Sequence, residues 1–148
     1  MTTLIAPPRS QTHINRHEQE CLDLLTPSLT NDETAAILAS AMALAPYLDQ
    51  LYRKNIGYLA TLANGDVDMI DAAIAEAKNA LHDRLNATTN HDQAMIAIRM
   101  FRQQINTAVT LSDLLDRAPV SEQMRWLSDA ADYASSTLVA WLEDQARA

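Results

Sequence analysis

Glycine is scarce in this chain: two residues in 148, Gly57 and Gly65. Globular proteins average roughly 7%. Loops that cradle phosphate need clustered glycines so that backbone amides can approach the oxygens. Two isolated glycines exclude a P-loop and a dinucleotide-binding fingerprint. Cysteine is scarcer still. Cys21 stands alone, which rules out an intramolecular disulfide and a multi-cysteine zinc site and predicts a reducing compartment. Aromatics make up 5% of the chain, and eleven basic residues face nineteen acidic ones, for a net charge of −8. Broad, non-specific nucleic-acid binding depends on Lys and Arg neutralising phosphates, so no nucleic-acid partner is expected. No stretch approaches the ~20 apolar residues needed to span a bilayer. No basic segment followed by an apolar run opens the chain, so no signal peptide is read there. The expectation is a cytoplasmic protein with no membrane contact.

Strand patterns are missing as well. No alternating run bounded by Gly or Pro is found, whereas apolar residues recur at helical spacing almost everywhere after residue 12. The predicted fold is all-α, a bundle of about five to seven helices with no sheet. Residues 1–11, with Pro7 and Pro8, read as a flexible arm. Residues 12–148 read as a single helical domain.

The helices can be placed. One runs from about Thr12 to Leu25 and stops at Pro27. Thr30 and Glu33 have the spacing of a capping box and open a second, with Ile37, Leu38, Ala41 and Leu44 on one face. Two short helices follow, about Pro46–Lys54 and Ile56–Ala63. Gly65 closes the latter in the left-handed conformation that glycine adopts cheaply. Asp66 starts a helix with Val67, Ile70, Ile74, Ala77, Leu81 and Leu85 on its stripe. Asn90 and Gln93 repeat the capping logic. The next helix reaches Arg117, with positions 94, 98, 101, 105, 108, 112 and 115 facing inward. A last helix opens at Pro119 and Ser121, with 124, 127, 131, 134, 138, 141 and 142 inward. The alternating steps of four and three predict antiparallel packing of these two long helices.

Chemistry is harder to find. Asp66, Asp68 and Asp71 have the spacing of metal-binding acids in nucleotidyl-transfer sites. They open a helix, however, where Asp caps the end and meets the dipole. His13, His17 and Cys21 fall at i, i+4 and i+8 and are the one candidate zinc set. Only i,i+4 neighbours can chelate jointly, and no fourth ligand is evident, so Cys21 reads first as a small buried hydrophobe. None of the six Glu has a His three residues later, which removes di-iron carboxylate bundles. No nucleophile–base pair stands out. Arg99, Arg102, Gln103 and Asn106 share a polar stripe. It reads as a solvated face or, alternatively, as an interdomain docking surface, where Arg is favoured over Lys. Trp126, Tyr133 and Trp141 are read as lying on different faces of the last helix, with Trp141 in the core.

The run Ile98-Arg99-Met100-Phe101-Arg102, continued by Ile105 and Leu111, carries a resemblance. So do Leu127-Ser128, Ala130-Ala131-Asp132, Leu138, Trp141 and Leu142. Earlier, Ala45-Pro46-Tyr47-Leu48, Leu51, Arg53-Lys54, Leu59 and Leu62 match a Pro-containing helix pair. Together, over roughly residues 38–148, they resemble the helical segment before the catalytic core of glutamine synthetase adenylyltransferases. Members of that bifunctional family add AMP to glutamine synthetase and remove it. This sequence departs from the family at Gln103 and Gln104, where basic residues are usual, and at Ile56, where a second Pro is common. The resemblance implies an N-terminal helical region that braces the catalytic domain or docks glutamine synthetase. ATP and Mg are implied for the parent family and no cofactor for this segment. No Gly-rich turn followed by an Asp-x-Asp strand is found, so no catalytic residue is carried over and the chain is expected to be inactive alone. The alternative reading is a stand-alone helical interaction or self-associating module.

Overall fold

The computed structural model describes residues 11–147. Among them are seven helices and no strand: α1 (Gln11–Leu25), α2 (Asp32–Leu44), α3 (Pro46–Lys54), α4 (Ile56–Asn64), α5 (Val67–Asn86), α6 (His91–Leu114) and α7 (Val120–Arg147). The expected arm at residues 1–11 lies outside the described residues, apart from Gln11, which is helical. The helices fall into two compact units, one ending at Asn64 and the other beginning at Gly65.

In the first unit, α1 packs on α2 and α2 on α3. The helix cap of α2 is Asn31, whose side chain accepts from the Thr34 amide at 3.1 Å; the expected cap at Thr30 is displaced by one residue. Thr30 has another task. Its amide and hydroxyl both donate to Asn64 Oδ1, and Asn64 Nδ2 donates to the Ser28 carbonyl. The end of α4 thus clasps the loop that begins α2. The buried face of α2 is Ala35, Leu38, Ala39 and Met42, whereas Ile37 and Leu44 of the expected face are exposed. Pro46 occupies the first turn of α3, where its missing N–H costs nothing.

The second unit is a three-helix bundle of α5, α6 and α7. Asp66 caps α5 by accepting from the Met69 amide, and Asn90 caps α6 by accepting from the amides of Asp92 and Gln93. Gly65 is not left-handed, since no glycine has a positive φ. A side chain there would instead run into Met69, whose Cβ lies 3.0 Å from the position it would take. The left-handed residue is Asp116, with φ 53°. It ends α6 three residues earlier than expected. The Arg117 amide bonds the Ser112 carbonyl and the Asp116 amide that of Asp113, the two bonds of a Schellman motif.

Of the stripe expected on α5, Ile70, Ile74, Ala77, Leu81 and Leu85 are buried, and the Val67 side chain lies outside the described residues. On α7 the inward face is rotated by one position from expectation. Gln123, Trp126, Ala130 and Trp141 are buried, while Met124 is 58% exposed and Leu142 39%. Trp126 and Tyr133 do not lie on different faces: both reach α5. Trp126 Nε1 donates to Asp71 Oδ1 at 2.9 Å, and Tyr133 Oη to the Lys78 carbonyl at 3.0 Å. Trp141 Nε1 donates to the Thr88 carbonyl at 2.9 Å. All three partners ascend in sequence with α7, so α5 and α7 run parallel, with α6 antiparallel between them.

Candidate functional site

Two features stand out, one in each unit. The first is a polar cluster between α1 and α3. His17 and Cys21 are one turn apart on α1; Asp49 and Arg53 are one turn apart on α3. At this spacing two side chains lie one above the other on a helix face, so each helix offers a pair to the other. His17 Nε2 lies 3.2 Å from Asp49 Oδ2. Cys21 Sγ lies 3.8 Å from His17 Nε2 and 3.8 Å from Asp49 Oδ1. Arg53 Nε donates to Asp49 Oδ1 at 2.6 Å, and its Nη2 reaches Cys21 Sγ at 3.6 Å. On the outer side, His17 Nδ1 lies 3.5 Å from Glu20 Oε2.

Cys21 is fully buried, and His17 and Asp49 are about four-fifths so. Burial, aided by the Asp49 carboxylate, pushes the Cys21 thiol above its ordinary pKa, while Arg53 pulls it down. Arg53 is itself held above its ordinary value, chiefly by its hydrogen bond to Asp49. Of the expected zinc set, the structure brings His17 and Cys21 together and adds Asp49. His13 is exposed and is not part of the group. The acids Asp66 and Asp71 serve as helix cap and as acceptor for Trp126.

The second feature is an open groove between α6 and α7, about 350 Å³ in volume. Its floor and walls are apolar: Ile98, Phe101 and Ile105 from α6, with Leu127, Ala130, Ala131, Ala134 and Leu138 from α7. Arg102 and Asn106 line its α6 edge. Arg99 and Gln103, the other two members of the expected docking stripe, do not line it. Leu127, Ala131, Ala134 and Leu138 belong to the stripe the sequence assigns to the interior. They form the wall of a groove that no described residue of the second unit fills.

These features define an all-α protein built from two helical units. A family model for glutamate-ammonia ligase adenylyltransferase matches residues 35–148, well over half of the sequence, and the chain belongs to that family. The match takes in Asp49, Arg53 and the whole α6–α7 groove, whereas His17 and Cys21 precede it. Neither a curated protein nor a solved structure gives a significant match. No described helix is long and apolar enough to cross a membrane.

Proposed function

We propose that this chain supplies a non-catalytic helical scaffold within an adenylyltransferase, and that the α6–α7 groove seats an apolar element of the catalytic region of the same enzyme. The observation that carries this reading is the uncovered stripe Leu127, Ala131, Ala134 and Leu138, which lies inside the span matched by the family. Apolar surface of this kind marks a contact face. Small residues along α7 let a partner helix approach closely, and Arg102 at the edge suits a carboxylate on the partner. In this reading the parent enzyme modifies glutamine synthetase in the cytoplasm. ATP and Mg act at the catalytic region, and no side chain of this segment touches them.

The test has two arms. The purified chain, given ATP, Mg and glutamine synthetase, is expected to transfer no AMP. Mixed with the catalytic region of a family member, it is expected to form a one-to-one complex in sedimentation velocity, and Leu138→Arg should abolish it. AMP transfer by the chain alone would overturn the scaffold role. A homodimer that Leu138→Arg dissociates would favour a self-associating module, and a complex with glutamine synthetase itself would move the partner to the substrate.

A further inference from the structure

We propose that His17, Cys21 and Asp49 form a zinc site that clips α1 to α3. Zinc binds imidazole nitrogen and carboxylate oxygen at about 2.0–2.2 Å and thiolate sulfur at about 2.3 Å, in tetrahedral geometry. Those bond lengths require edges between ligand atoms of about 3.3–3.6 Å. His17 Nε2 lies 3.2 Å from Asp49 Oδ2 and 3.8 Å from Cys21 Sγ, and Cys21 Sγ lies 3.8 Å from the other carboxylate oxygen, Asp49 Oδ1. Taken one atom per residue, the three ligand atoms lie within 4.8 Å of one another. The His17 edges to Asp49 Oδ2 and Cys21 Sγ are therefore within a few tenths of an ångström of zinc-sized, and a small movement of the Asp49 carboxylate towards Cys21 closes the triangle on Oδ2.

The surroundings provide a second, independent observation. A metal-bound His characteristically gives its other ring N–H to a carboxylate, and a metal-bound carboxylate is itself hydrogen-bonded. Here His17 Nδ1 faces Glu20 Oε2, and Asp49 Oδ1 accepts from Arg53 Nε. That leaves His17 Nε2 and Asp49 Oδ2 turned towards each other and available. Arg53 is the obvious competitor, since its guanidinium also reaches Cys21. Its side chain is 40% exposed, so the Nη2 contact can be given up to solvent while the Nε bond to Asp49 remains.

The charges balance. Binding breaks the Cys21 S–H bond, sends the proton to solvent and forms a sulfur–zinc bond. His17 contributes the Nε2 lone pair as a neutral imidazole. One thiolate and one carboxylate then neutralise the dication, and a water completes the fourth position. Two ligands lie on α1 and one on α3, so zinc would fasten a helix that precedes the family's matched span to a helix inside it. This inference is separate from the scaffold reading, which concerns the other unit.

The test is cobalt and zinc titration of the full chain after chelator treatment. Cobalt is expected to give a near-ultraviolet thiolate-to-metal band that saturates at one equivalent, and zinc to bleach it and raise the melting temperature. Cys21 is the only cysteine, so the band itself identifies the ligand without any variant. Absence of the band with cobalt in excess would overturn the site. Asp49→Asn should weaken zinc binding at least tenfold, and His13→Gln should leave it unchanged. Equal affinity in wild type and both variants would also overturn it, assigning the metal to surface histidines.

Discussion

Trp126 on α7 donates its indole N–H to the Asp71 carboxylate on α5 at 2.9 Å, and one heptad further along both helices Tyr133 repeats the reach to Lys78. The two bonds share a sequence offset of 55 residues. They fix the parallel register of α7 on α5, because a slip of one residue would break both. Trp126→Phe keeps a buried ring but removes the donor, and is expected to cost about 1 kcal/mol in urea unfolding. Trp126→Ala also opens a cavity and should cost about 3–5 kcal/mol. A Phe variant as stable as wild type would mean that the bond to Asp71 contributes nothing to the register.

The groove makes a second prediction. Leu81 is fully buried on α5, whereas Leu138 is half-buried on the groove wall. Leu81→Ala should cost about 2–5 kcal/mol, since it leaves a cavity that the surroundings only partly refill. Leu138→Ala removes surface that water already reaches, and should cost about 1 kcal/mol. Equal losses in chemical denaturation would show that the groove is closed in solution and the Leu138 face is ordinary core.

Much of this architecture was legible in the sequence, because helix signals are local. Pro27, Pro46, Asp66 and Asn90 punctuate the chain by chemistry that acts within a turn, and the helices start and stop beside them. What periodicity could not give is which of two apolar stripes on α7 meets α5. Gln123, Trp126, Ala130 and Tyr133 alternate with Met124, Leu127, Ala131 and Ala134, and the second set is as apolar as the first. The hydrogen-bonding reach of Trp126 and Tyr133 decides in favour of the first, and only tertiary packing reveals it. The polar cluster has the same limit. His17 and Cys21 could be paired from their spacing. Asp49 and Arg53 have the same spacing on α3, but nothing local says that the two pairs face each other, Cys21 and Asp49 being 28 positions apart in the chain.

Asp116 carries the left-handed turn that ends α6, with φ 53°. The left-handed conformation costs an L-residue roughly 1–2 kcal/mol, and glycine is free of that penalty. Asp116→Gly is therefore expected to stabilise the protein by up to about 1 kcal/mol, net of the entropy glycine adds to the unfolded chain. Asp116→Val should destabilise it, since a β-branched residue resists positive φ. The check is a pair of thermal melts. A Gly variant that melts below wild type would show that the Asp116 side chain supports the turn in some other way.

Arg125, in the second turn of α7, donates to both carboxylate oxygens of Glu122 and to Asp129 Oδ2. The hydrogen bonds from Arg125 hold the Glu122 carboxyl below its ordinary value of 4.5. The folded state therefore binds this proton less readily than the unfolded chain. The stabilisation it provides is complete above about 4.5 and is lost as pH falls through the folded value. Arg125→Gln should thus be less stable than wild type at neutral pH, by a small margin because the pair is exposed, and the gap should narrow below about pH 4.5 as Glu122 protonates. Carboxyl NMR titration should place the Glu122 midpoint lower in wild type than in Arg125→Gln. A stability gap that stays constant from neutral pH to pH 3 would assign the effect of Arg125 to helix propensity or packing rather than to its charge on Glu122.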